Sequence, residues 1–189
     1  MSVILGQRGS GKSTLLKELL RKKASKRIIV IDTLGEHGEA RKVIRTPQEL
    51  VKALMAKEFN IAVQFDDELD GFMWACRAAY AAQDCVLVVE EVDFYIKAGS
   101  APTPFSLLVR YGRHKGVEMI CIARRPPDLW RNLTANADNI YSLRTIEPRD
   151  IRYLSDFIGT DAAFQLKGLK DLEYVCYSRG KVTRGKTQF

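Results

Sequence analysis

"GQRGSGKS", residues 6–13, decides how this chain is read. Its spacing fits G-x-x-x-x-G-K-[ST]: Gly6 opens it, Gly9 lies inside, and Gly11, Lys12 and Ser13 close it. Glycines let the backbone adopt positive φ and bring its N–H groups against phosphate oxygens. A helix that follows such a loop turns the positive end of its dipole to the same anion. The flanks agree with this. "SVIL" (2–5) is a short apolar run suited to a buried strand, and "STLLKELLRKK" (13–23) spaces Leu15, Leu16, Leu19 and Leu20 along one helical face. The expected nucleotide-binding residues are Gly6, Gly9, Ser10, Gly11, Lys12, Ser13 and Thr14. Lys12 is expected to reach the β- and γ-phosphates and Ser13 to ligate Mg²⁺ through its hydroxyl.

The chain has 189 residues, which suits one domain, and a single nucleotide-binding domain over residues 1–189 is expected. No run of eighteen apolar residues is present, so no transmembrane helix is expected. A strand and phosphate loop are read over residues 2–13, so no signal peptide is expected. Cys76, Cys85, Cys121 and Cys176 lie far apart and lack metal spacing. Cys85 and Cys121 border or enter apolar runs and read as reduced core residues, which fits a cytoplasmic location.

Net charge is +7, and its placement is uneven. Residues 1–57 carry 13 Lys/Arg against 5 Asp/Glu, residues 58–109 carry 2 against 9, and residues 110–189 carry 15 against 9. The acids gather where the metal-binding part of the site is expected. Basic flanks suit a nucleic-acid partner, although solvated helix faces account for many such charges.

Short β-branched runs alternate with helical patterns. Strands are expected at "RIIVID" (27–32), "NIAVQF" (60–65), "CVLVVEE" (85–91), "VEMICIA" (117–123) and "NIYSLR" (139–144). Helices are expected at 46–58, opened by Thr46 and Pro47, at 68–82, where Gly71 weakens the pattern, at 101–116, and at 147–159 with Gly159 as its stop. Such alternation means parallel βαβ units. "LEYVCYSRGKVTRGK" (172–186) reads as a hairpin turning at "SRG". The predicted fold is α/β: a three-layer, RecA/ASCE-like P-loop NTPase with a mainly parallel central sheet and a C-terminal antiparallel hairpin.

A phosphate loop needs a carboxylate at the end of a neighbouring strand. "VLVVEE" (86–91) supplies it, with four apolar residues burying a strand and Glu90 and Glu91 emerging at its C-terminal edge, where open α/β sheets bind ligands. Glu90 is assigned to the metal and Glu91 to polarising water. Glutamate is one methylene longer than the more usual aspartate, so the assignment stays open among Glu90, Glu91 and Asp93.

Two further stretches resemble a known family. "IDTLGEHGE" (31–39) is similar to the D-x-x-G-E stretch of HerA-type ATPases. "YGRHKGVEMICIARRPPDLWRNLTANADN" (111–139) resembles their G-R-K-x-G-V segment, next strand and S-Q-R-P-x-x-[IL]. The resemblance runs from Met1 to about Arg144 and implies the HerA/FtsK superfamily of ring-forming, DNA-moving ATPases. It implies ATP and Mg²⁺ as cofactors and a homo-oligomeric ring, hexamer or pentamer. The implied partner is double-stranded DNA held without sequence specificity, and viral capsid or portal components are further implied partners. A virion-associated location would follow if the chain is viral. HerA-type proteins usually carry a barrel before the phosphate loop, so a bare motor domain of the genome-packaging kind is expected here. The family's sensor glutamine falls at Arg124 in "ARRP", where a full charge could stabilise the transition state.

In a ring, an arginine from one subunit completes the next subunit's site, since its planar fork suits phosphate oxygens. Arg113 matches the family's GRK position, and Arg110 lies three residues earlier. Asp32 and Glu36 could join the site or a neighbour, though a strand-end turn explains them almost as well, and nothing marks His37 as a ligand. Lys97 and the clusters 21–23 and 26–27 are candidates for DNA contact. Two other readings remain open. One is a nucleotide-dependent switch or small-molecule P-loop kinase. The other is a phage assembly or export motor of the zonula-occludens-toxin type.

Overall fold

The computed structural model describes residues 1–23, 25–33, 35 and 41–188. The chain forms two compact units. The first holds Met1–Lys23, Lys97–Gly99 and Ile122–Phe189, and the second holds Ala24–Ile96 and Ser100–Cys121.

In chain order the elements are β1 (Ser2–Leu5), α1 (Lys12–Arg21), β2 (Arg27–Ile31), β3 (Lys42–Ile44), α2 (Pro47–Leu54), β4 (Phe59–Val63), α3 (Glu68–Ala82), β5 (Val86–Val89) and α4 (Val92–Tyr95). There follow α5 (Thr103–Tyr111), β6 (Glu118–Ala123), α6 (Arg131–Ala135), β7 (Asn139–Leu143), α7 (Pro148–Ile158), α8 (Thr160–Gln165), β8 (Glu173–Ser178) and β9 (Lys181–Lys186).

The second unit is built on five parallel strands in the order β3-β4-β2-β5-β6. Ile29 pairs with Ile61 on one side and Leu87 on the other. Strands inside a parallel sheet are covered on both faces, so they read as continuous apolar runs. β5 obeys this: Val86, Leu87, Val88 and Val89 are all buried. α2 starts as expected, with Thr46 Oγ1 accepting from Glu49 N–H at 3.3 Å and Pro47 in the first turn. Asp67 caps α3 through Asp70 N–H at 2.9 Å. Gly71, read as a weakness in that helix, has a packing reason: a Cβ there would lie 3.0 Å from Cβ of Phe65.

In the first unit β1 pairs with β7 in parallel, and β7-β8-β9 continue antiparallel. The mainly parallel pairing with a C-terminal antiparallel hairpin is the arrangement the sequence leads one to expect. The hairpin turns at Arg179 (φ 48°) and Gly180 (φ 79°), two left-handed residues in succession as a type I′ turn requires. Val3, Ile4 and Leu5 of β1 are fully buried, each stabilising the fold by about 1.5–3 kcal/mol.

The structure adds elements that periodicity missed. β3 has only three residues, too few for a pattern to show. α4, α6 and α8 are similarly short, at four, five and six residues. The helix expected over 101–116 is shorter: α5 stops at Tyr111, and Gly112–Lys115 tighten into a 3₁₀ turn ending at left-handed Gly116.

Candidate functional site

The phosphate loop leaves buried β1 and enters α1 through Gly11, whose φ of 101° and ψ of 18° lie in the left-handed region. That backbone is why glycine stands there. Gly6 is needed for space: a Cβ on it would come within 2.9 Å of both Leu143 Cβ and Ser10 Oγ. Lys12 Nζ donates to the carbonyl oxygens of Gly6 at 2.8 Å and Gln7 at 2.9 Å. Ser10 is buried and its hydroxyl donates to Gln7 O at 2.8 Å. Gln7 N–H in turn donates to Arg144 O at 3.1 Å. Ser13 and Thr14 are half-buried on the first turn of α1.

The first turn of α1 carries no acidic side chain, so nothing on the helix itself offsets its positive end. Left-handed loop glycines, a lysine ammonium and a helix N-terminus with no acidic side chain in its first turn together form an anion cradle. These residues fit a nucleotide triphosphate. A serine hydroxyl and carboxylates are oxygen donors of the kind Mg²⁺ takes, together with phosphate oxygens. Among the described residues no group of three or more His, Cys, Asp or Glu is gathered to hold a metal.

In the first unit, too, Arg124 follows β6 directly and is exposed. Its neighbour Arg125 is tied down: Nε donates to Asp150 Oδ1 at 3.3 Å, and the Asp150 side chain is 3 % exposed. Burial raises the Asp150 pKa above its ordinary value, and the Arg125 guanidinium pulls it back.

The second unit holds the carboxylates. Glu90 follows β5 directly, is buried, and its N–H donates to Ile31 O at 3.4 Å. Glu91 sits at the start of α4 with φ 46° and ψ 48°. A left-handed non-glycine residue costs about 1–2 kcal/mol, and such strain gathers at functional positions. Asp93 lies in the first turn of α4.

Asp32, which the sequence left between site and turn, is buried and accepts from Gln64 Nε2 at 2.7 Å. Arg41 lies near enough to Asp32 and Glu90 for both to act on it. Burial lowers the pKa of its guanidinium, and those two carboxylates oppose the shift. Next to Asp32 is a polar cavity of about 260 Å³, lined by Thr33, Gln64, Glu68, Arg45 and Tyr95 among others. Gln64, Arg41 and Tyr95 escaped the sequence reading because none belongs to a motif. Glu36 and His37 lie outside the described residues.

Arg110 is exposed on the last turn of α5. Arg113 is exposed in the 3₁₀ turn after it, so the two do not continue one α-helical face. All four cysteines are free and buried, Cys85 and Cys121 as expected. Among the described residues no helix is long and apolar enough to cross a membrane.

The fold is that of the P-loop NTPases. A family model described as "CobW/HypB/UreG, nucleotide-binding domain" matches residues 1–59. No curated protein sequence matches the chain. Among solved structures, the chain is similar to the genome packaging NTPase B204 from Sulfolobus turreted icosahedral virus 2 in complex with AMPPCP. Identity is 23 %, coverage 100 % of this chain and 98 % of that one, and the TM-score 0.83. It is also similar to VirB4 of Thermoanaerobacter pseudethanolicus, at 13 % identity, 100 % and 89 % coverage and TM-score 0.70. The N-terminal domain of zonular occludens toxin from Neisseria meningitidis matches at 13 % identity, 99 % and 92 % coverage and TM-score 0.56.

Proposed function

We propose that this chain is an ATP-hydrolysing motor that moves double-stranded DNA through a homo-oligomeric ring in viral genome packaging. Residues 1–189 act in it as one P-loop ATPase domain. The observation that carries the reading is a fold shared over the whole chain with a genome packaging NTPase, joined to a formed phosphate loop at residues 6–13. HerA-like features in the sequence, namely the GRHKG turn and the ARRP stretch, support it.

In this reading the N–H groups of Gly9, Gly11, Lys12, Ser13 and Thr14 hold phosphate oxygens, and Gly6 and Ser10 shape the loop around them. Ser13 and Glu90 are the proposed Mg²⁺ ligands; a bound Mg²⁺ supplies charge neutralisation on the phosphates. Glu91 orients and deprotonates water. Arg113, with Arg110 as the alternative, serves a neighbouring subunit's nucleotide, and Arg124 takes the place of a sensor glutamine.

ATPase rate with and without double-stranded DNA, together with solution mass under ATP, tests the proposal. Stimulation by DNA and a multimeric mass are expected. DNA affinity should fall steeply with salt and be indifferent to sequence, because the basic residues are scattered and the described residues form no base-reading module. An unstimulated monomer would instead favour a nucleotide-dependent switch or kinase, a reading that the match of residues 1–59 to a nucleotide-binding domain supports. DNA-independent turnover by an oligomer would favour an export motor, which the likeness to the zonular occludens toxin domain supports.

A further inference from the structure

We propose that Leu172 is a positioning residue for the phosphate loop, and that the C-terminal hairpin is thereby built into nucleotide binding. The proposal rests on the reading of residues 6–13 as a nucleotide site.

Leu172 lies just before β8 and has φ of 72°, a conformation that leucine rarely adopts. Both of its backbone polar groups are engaged. Its N–H donates to Ser10 O at 3.1 Å, and its carbonyl accepts from Thr187 N–H at 2.9 Å. One residue therefore joins the phosphate loop to the segment that follows β9. Its side chain closes the same contact. A Cβ added to Gly11 would lie 2.6 Å from Leu172 Cδ2 and 3.3 Å from its Cα. Gly11 is thus required twice, by its own left-handed backbone and by Leu172 against it.

The geometry of the peptide unit gives this contact a direction. In a trans peptide the C=O and the following N–H point opposite ways. Ser10 O and Gly11 N–H belong to one such unit. Holding Ser10 O on Leu172 turns Gly11 N–H away from Leu172 and so presents it as a donor. The loop shows the same logic once more. Gln7 N–H is held by Arg144 O at 3.1 Å, and Gly6 O, the other end of that peptide, accepts from Lys12 Nζ at 2.8 Å. Two further contacts secure the segment: Arg144 pairs with Asp171 at 2.9 Å, and Gln188 N–H donates to Glu18 Oε2 on α1 at 3.1 Å. The C-terminal hairpin is therefore not an appendage to the loop. It supplies, through Leu172, the partner that fixes one of the loop's peptides.

Replacing the Leu172 amide by an ester, with leucic acid at this position, deletes the N–H donor and keeps the side chain. Hydrogen exchange of the nucleotide-free protein is then followed in a peptide spanning residues 6–14, beside one spanning 59–82 as a control for global loosening. Affinity for a non-hydrolysable ATP analogue is measured on the same samples. Exchange in 6–14 is expected to rise while 59–82 stays unchanged, and affinity to fall about tenfold, the effect of one lost buried hydrogen bond. Thr187→Pro removes the donor to Leu172 O and should move both readouts in the ester's direction; it stands in should the ester not fold. Wild-type exchange in 6–14 and wild-type affinity in the ester overturn the proposal, as does a rise shared equally by 59–82. If the wild-type protein binds no nucleotide, the nucleotide reading fails and the exchange of residues 6–14 alone decides whether Leu172 holds the loop.

Discussion

Lys12 Nζ lies 2.8 Å from the carbonyl oxygen of Gly6 and donates to it. The ammonium that the motif places for phosphate is held by the loop's own carbonyls, so a phosphate would exchange these contacts for charge-assisted ones. Lys12→Ala should abolish hydrolysis and weaken ATP binding, measured by turnover and by titration with a labelled nucleotide. Wild-type turnover in that variant would remove the ATPase reading.

Glu91→Gln should leave ATP binding intact and lower turnover by about 10²–10⁴, because the amide keeps the shape but cannot take a proton. Glu90→Gln should act through Mg²⁺, raising the metal concentration needed for activity. If Glu90→Gln shows the water phenotype and Glu91→Gln is active, the two roles are exchanged.

Arg113→Ala should bind ATP and fail to hydrolyse it. Mixing it with Lys12→Ala should restore some activity, since an intact phosphate loop on one subunit can then meet an intact Arg113 on its neighbour. Arg113→Lys should substitute poorly for lack of the planar fork. A confirmed multimer whose mixture stays inactive argues against an arginine acting between subunits at this position. Full activity of Arg113→Ala alone would shift the role to Arg110 or Arg124.

Arg125→Ala should destabilise the fold by about 1–2 kcal/mol at neutral pH, through loss of a charged hydrogen bond that is only part-buried. Burial raises the Asp150 pKa and Arg125 opposes that rise, so the guanidinium favours the ionised carboxyl. Its contribution is therefore present above the carboxylate's titration and fades as pH falls through it. Denaturant melts of the variant and parent should converge as pH falls through the carboxylate's raised titration and stand apart at pH 7. A pH-independent gap would mean that Arg125 acts by packing alone.

Burial pushes the Cys121 thiol up to about 12 and the Cys85 thiol up to about 11. The thiolate is the reactive form, so the native protein should resist a disulfide reagent at pH 8. All four thiols should then react together on unfolding. Fast labelling of a native thiol would show local opening around it.

The phosphate loop was legible because its requirements are local: glycines for backbone shape, a lysine and a serine at fixed offsets, and apolar flanks. β5 was legible for a related reason, since a strand buried on both faces must be apolar throughout. The turn at Arg179–Gly180 could be read from its glycine. Contacts made by the folded chain were not legible. Gln64 meets Asp32 only once β2 and β4 pair, and nothing around residue 64 signals it. Leu172 touches Ser10 from the far end of the chain, and an ordinary leucine gives no hint of left-handed φ. Gly71 misled because a helix penalty is visible in sequence, whereas the close approach of Phe65 that justifies it is not. The extent of α5 was overread because helical periodicity does not distinguish a last α turn from a 3₁₀ turn.

The left-handed backbone at Glu91 sets durability against activity at one position. Glycine would adopt that conformation without strain, so Glu91→Gly should relieve about 1 kcal/mol less the loss of the side chain's contacts. Under the proposed role it would also delete the group that activates water. A population evolved for heat resistance alone would therefore discard glutamate here readily, and one required to turn over nucleotide would keep it. Sequencing position 91 after both selections would reveal whether this residue is maintained for work rather than for folding.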